Sequence, residues 1–222
     1  MGRKQKGIRT NLLWFSEGIT VYYEYLMVRR AGIISTDELL ARIENNINTI
    51  ENDPGRKFQS LSQSSYNTWS EGPFGRSEGV EDKSISYYDK GPIMGLILDL
   101  TIRNATQNKK SLDDVMRFLY SHYYKNLNRG FTDAELQYAC EIIAGKSLSA
   151  EFEYVYTTKE IDYSKYLSYA GLKITEMIDR KTSKRRFIIT RQDSVNSLHQ
   201  TVFQAWSEKD GSSIPNAYSN LE

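Results

Sequence analysis

The chain has 222 residues, enough for one large domain with a real core or for one domain and a small appendage. Its 29 basic and 28 acidic residues leave a net charge of +1, so no global pull toward nucleic acid or an anionic membrane follows and no nucleic-acid partner is expected. The single cysteine, Cys140, excludes an internal disulfide and a cysteine-based metal cluster, and no apolar run reaches the length of a membrane span.

In chain order, MGRKQKG is basic but lacks the apolar core of a signal peptide, so compartment stays open and a signal is expected, if anywhere, outside this chain. Residues 1–9 read as linker or vector-derived, and Leu221–Glu222 resemble a cloning scar. The first helix is predicted over Ser16 to Arg30, with Ile19, Tyr22, Tyr23, Leu26 and Met27 on one stripe and Gly32 as its stop. Ser35 with Glu38 forms a capping box for a second helix, which carries Leu39, Leu40, Ile43, Ile47 and Ile50 up to Asp53–Pro54–Gly55. A weaker helical stretch, KFQSLSQSSYNTWS, follows. The glycine-rich segment Glu71–Ser84 is a long loop, expected to border a cleft and to move.

The segment ISYYDKGPIMGLILDLTIRNAT is apolar on nearly every side and should lie in the middle of the domain. Helices over Ser111–Asn126 and Thr132–Ala144 come next, the latter with a Thr132/Glu135 capping box; Cys140 on it suits a small buried apolar position. Short helical pieces follow around Ala150–Tyr156 and Tyr163–Tyr169. Beyond Gly171 the character changes: KITEMID and RRFIITR predict a hairpin joined by RKTSKR, and SVNSLHQTVFQAW fits a helix while leaving strand open. The fold class is therefore mainly α, with a helical domain over 10–171, a small α+β appendage over 172–206 and a loose tail over 207–222.

Chemistry-bearing motifs are scarce. There is no phosphate-cradling glycine loop, no GxSxG and no CxxC, and the two histidines, His122 and His199, share no helical face. The sixteen tyrosines, several paired as in Tyr22–Tyr23 and Tyr87–Tyr88, suit core edges or an aromatic ligand surface. Glu17, in NLLWFSEGIT, admits two readings. It is an acid favoured by the dipole at a helix start, or one ligand of a metal site.

The block LLWFSEGITVYYEYL resembles the third-ligand helix of gluzincin zinc aminopeptidases, most closely the glycyl aminopeptidase family, whose catalytic domain is thermolysin-like. SYYDKGPIMGLILDL resembles the buried helix that a Tyr-x-Lys-Gly segment heads in that family, and DYSKYLSYAGLKI resembles its closing segment. The resemblance covers roughly Thr10 to Leu172 and implies the helical C-terminal subdomain of a metallopeptidase domain. It implies that Glu17 ligates zinc and that Tyr88 hydrogen-bonds the oxyanion of a peptide substrate attacked near its N-terminus; Lys90 receives no role.

The departure from the family is large. Such an enzyme needs HExxH, which supplies two further zinc ligands and the general base, and this chain has none. The chain thus reads as a fragment of a zinc aminopeptidase whose N-terminal half is missing, whether by recombinant truncation or by natural loss. It is expected to hold no zinc alone, to be inactive, and to self-associate through uncovered apolar surface. The competing reading is a non-catalytic helical interaction domain on the same scaffold. The appendage is either the start of a peptide-binding PDZ module or a family-specific hairpin. It lacks the glycine-rich loop that would capture a terminal carboxylate.

Overall fold

The structure, a computed structural model, describes residues 9–71 and 83–208. The greater part of the loop expected over 71–84 therefore lies outside the described residues. Helix α1 opens with a π-helical turn over Trp14–Ile19 and continues as α-helix over Thr20–Arg30. It begins two residues before the predicted start, and its first turn is wider than a 3.6-residue pattern can signal. Helix α2 spans Thr36–Glu51 behind the expected capping box, with Glu38 N–H on Ser35 Oγ at 3.1 Å and Ser35 N–H on Glu38 Oε2 at 2.7 Å. After a 3-10 turn over Pro54–Lys57, helix α3 spans Leu61–Glu71, started by reciprocal Ser60 and Gln63 bonds.

Helix α4 spans Tyr87–Ala105, and every residue from Lys90 to Arg103 is buried. Helix α5 covers Leu112–Leu119 and runs into a second π-helical turn, Tyr120–Asn126. Helices α6 (Asp133–Ala144), α7 (Ser149–Tyr156) and α8 (Tyr163–Ser168) complete the helical body, and the Thr132/Glu135 box starts α6 as predicted. Strands β1 (Leu172–Ile178) and β2 (Arg185–Arg191) pair antiparallel, with Ile174 opposite Ile189 and Ile178 opposite Arg185. The open alternative after the hairpin resolves as a helix, α9 (Ser197–Ser207), whose Asn196 cap accepts the His199 N–H at 2.8 Å. The protein is thus mainly α-helical with a small hairpin-containing appendage.

Helix α4 touches every other helix named here, the position that its all-round apolarity demands. Its buried acid, Asp99, is 1% exposed and fully used. Oδ2 accepts from Tyr22 Oη at 2.8 Å, while Oδ1 accepts from Arg103 Nε at 3.0 Å and from the Leu112 N–H at 2.9 Å. Trp206 Nε1 then donates to Tyr22 Oη at 2.9 Å, so α9 is tied into the central network rather than resting on the surface.

The hairpin is seated differently. Along α2, Glu44, Asn48 and Asn52 stand one turn apart, and each meets the backbone of β2 at every second residue. Asn48 exchanges two bonds with Phe187, at 2.8 and 3.1 Å, and Asn52 exchanges two with Arg185, at 2.9 and 2.7 Å. Glu44 Oε1 accepts the Ile189 N–H at 2.7 Å. Four helical residues rise about 6 Å and two strand residues about 6.6 Å, so side chains at i, i+4 and i+8 can stand in for a neighbouring strand. The device satisfies one edge of the sheet.

Replacing Asp99 by Asn should leave the buried Arg103 guanidinium without its counter-charge. A loss of about 3–5 kcal/mol in chemical denaturation is expected, and a change under 1 kcal/mol would show that the network is not carrying α9.

Candidate active site

Where α1 crosses α4, the two backbones touch. A Cβ built on Gly18 would lie 2.6 Å from the Tyr87 carbonyl oxygen and 2.7 Å from Gly91 Cα, and one on Gly91 would lie 2.6 Å from Gly18 Cα. One turn on, Gly95 makes room for the Tyr22 ring, whose Cγ a Cβ there would meet at 2.8 Å. Gly91 and Gly95 thus form a shallow groove on α4 into which Gly18 and Tyr22 of α1 settle.

This crossing brings the predicted site residues together. Glu17 precedes Gly18 within the π-helical turn and is half-buried. Tyr88 stands in the first turn of α4, three residues before Gly91, and its hydroxyl donates to Glu17 Oε2 at 3.0 Å across 71 residues of sequence. Burial, and then the bond to Glu17, push the Tyr88 hydroxyl well above the ordinary tyrosine range. It therefore stays a protonated donor at neutral pH. Glu17 is the acid of the helix's first turn, a place the dipole also favours, and π-helical turns such as its own recur at functional sites.

The start of α4 is fixed from three sides. Ser86 Oγ accepts the Tyr88 N–H at 3.1 Å, and Gln59 Oε1 accepts the Ile85 N–H at 2.9 Å. Asn46 of α2 reaches Asp89 at 3.4 Å while accepting from Tyr25 Oη at 3.1 Å. Sequence reading did not single out Asn46, although a buried amide between Ile43 and Ile47 on an apolar stripe was a visible signal.

Lys90 is 3% exposed, and its amine senses Glu51 and Arg56. Burial lowers its pKa to about 8, Glu51 partly opposing and Arg56 adding to the effect. The two histidines do not join the site: His122 is exposed and stacked on Phe118, and His199 lies on α9. Among the described residues no three His, Cys, Asp or Glu side chains converge to hold a metal, so Glu17 offers a single carboxylate. A separate cavity of about 410 Å³ opens beside Phe15, Leu119, Tyr123 and Phe131, and neither Glu17 nor Tyr88 lines it.

The sequence profile of the M61 glycyl aminopeptidase family matches residues 4–94, which include both Glu17 and Tyr88. A solved structure of an aminopeptidase N family protein from Idiomarina loihiensis matches with a TM-score of 0.72 and 25% identity, over 78% of this chain and 30% of that one. The chain therefore spans under a third of that protein's length. No curated protein matches it. The body of the chain is a peptidase-related domain.

Gly18→Ala should force α1 and α4 apart and cost about 1–3 kcal/mol in denaturation, or more if the crossing cannot yield. Gly130→Ala, where a Cβ meets nothing within 4 Å, should be near neutral by comparison. Equal effects at the two positions would show that the crossing is not tight.

Because the folded pKa of Lys90, about 8, lies below its ordinary value of 10.5, the unfolded chain holds a proton between those values that the folded chain has released. Stability should therefore rise with pH across that window through this group, by at most about 3 kcal/mol. Lys90→Met should be more stable than the parent at pH 7 and should lack that rise. Parallel stability–pH curves for the two proteins would refute the assignment.

Proposed function

We propose that this chain supplies one metal ligand and the oxyanion donor of a zinc-dependent aminopeptidase centre that cleaves peptides near their N-terminus. The observation that carries this reading is the 3.0 Å contact between Tyr88 and Glu17, two residues that meet only through the Gly18–Gly91 crossing and both lie in the family-matched segment. Zinc, when bound, would lower the pKa of a water molecule and polarise the scissile carbonyl. The chain's own residues do three things. Glu17 presents a carboxylate held rigid by a buried turn. Tyr88 aims a neutral hydroxyl at the same point, and that hydroxyl would turn from Glu17 to a developing oxyanion. The α1–α4 crossing fixes the spacing of the two.

The described residues do not complete a metal site, so the remaining ligands and the general base would come from an HExxH segment that this chain lacks. On this reading residues 10–171 are the helical half of a catalytic domain, and the missing half is the partner that covers its apolar surface. Ile33, Trp69 and Phe58 are among the large apolar side chains left exposed, which favours self-association of the chain alone.

The test uses the genomic reading frame that contains this chain. With HExxH encoded upstream, the full protein should release p-nitroaniline from glycyl and alanyl anilides. Glu17→Gln should lose both zinc and activity, whereas Tyr88→Phe should keep zinc and lose about 10²–10³-fold in kcat. The 222-residue chain alone should show neither zinc nor turnover. A reading frame without HExxH, or a fully active Tyr88→Phe variant, would overturn the proposal in favour of a non-catalytic interaction domain.

A further inference from the structure

The tip of the hairpin has a charge that the rest of the chain does not share. Residues 177–186 hold five cations, Arg180, Lys181, Lys184, Arg185 and Arg186, against one acid, Asp179, in a protein whose net charge is +1. Of these, Arg185 is committed at its root, with Nη1 on Glu51 at 2.6 Å and Nε on Glu176 at 2.6 Å. The other four cations are exposed, and none lies within ion-pairing distance of a carboxylate among the described residues.

The turn that carries them is ordered by its single acid. Asp179 Oδ1 accepts the Lys181 N–H at 2.8 Å and the Thr182 N–H at 3.2 Å, and the Asp179 N–H donates to the Lys184 carbonyl at 2.9 Å. The carboxylate thus serves chiefly the backbone of the turn, with Arg186 near enough to sense its charge. The strand behind is anchored through Asn48 and Asn52 of α2, so the cations project from a fixed base.

Beside these cations stand two aliphatic side chains in water. Ile178 is 66% exposed and Met177 47%, and Met177 pairs across the sheet with Arg186. No aromatic ring is available in the tip, because Phe187 is buried beneath Arg185, whose guanidinium lies 4.9 Å from the ring centroid. Single-stranded nucleic acid is gripped by stacking on exposed rings, which this tip lacks. A bilayer with anionic headgroups asks for cations at headgroup level and aliphatic side chains just below them. Ile178 and Met177 give the cationic tip the aliphatic component that such a surface takes up.

We infer that the β1–β2 hairpin tip is a peripheral binding site for an anionic lipid surface, with Arg180, Lys181, Lys184 and Arg186 meeting the headgroups and Ile178 and Met177 entering the interface. The site is independent of the peptidase reading, because the tip lies outside the Glu17–Tyr88 site and needs no metal.

The experiment is co-sedimentation of the full chain with vesicles of phosphatidylcholine alone and of phosphatidylcholine with about one third phosphatidylglycerol, at about 0.1 M and about 0.5 M salt. Anionic vesicles should bind at least on the order of a hundredfold more tightly than neutral ones, and the excess should collapse at the higher salt. Lys181→Glu with Lys184→Glu should abolish the excess. Ile178→Ser should weaken binding severalfold while leaving the salt dependence in place. All of these positions are exposed, so thermal denaturation should show unchanged folding. No preference for anionic vesicles would overturn the inference. So would a preference untouched by Ile178→Ser together with equal affinity for a single-stranded RNA, which would make the tip a general polyanion patch.

Discussion

The backbone contact between Gly18 and Gly91 is the constraint on which the site depends. Two helices approach this closely only where neither carries a Cβ, and the closeness sets the reach between the side chains just beside the contact. Glu17 is one residue from the crossing and Tyr88 three, so a 3.0 Å hydrogen bond can form between residues from opposite ends of the matched segment. A methyl group at either glycine would separate both the helices and the pair.

The same crossing organises the core. With Gly95 admitting the Tyr22 ring, the Tyr22 hydroxyl reaches Asp99, and from there the network extends to Arg103, the Leu112 N–H and Trp206. A buried carboxylate is costly unless every oxygen is engaged, and here both are. Helix α9 thus belongs to the central packing although the hairpin separates it from the helical body in sequence.

The hairpin is held by a different principle. A two-stranded sheet has too little area to be stable alone, and side chains of α2 replace the missing strand along β2. Glu51 adds an ionic anchor by accepting from Tyr163 Oη at 2.8 Å and from Arg185 Nη1 at 2.6 Å. Polar residues on α2 that a helical wheel would assign to solvent are therefore structural.

Much of this was legible in the sequence where the signals are local. Capping boxes at Ser35 and Thr132, the all-round apolarity of α4, the hairpin around RKTSKR and the ordinary burial of Cys140 all follow from neighbours within a turn or two. Glu17 and Tyr88 could be chosen from their motif blocks, because the residues around them carry the family pattern. Tertiary structure alone decided what depends on distant partners. The π-helical turn at Glu17, the pairing of Asn48 with Phe187, the burial of Lys90 and the seating of α9 through Trp206 on Tyr22 have no local signature. Each is set by a contact between segments far apart in the chain, and periodicity does not encode such contacts.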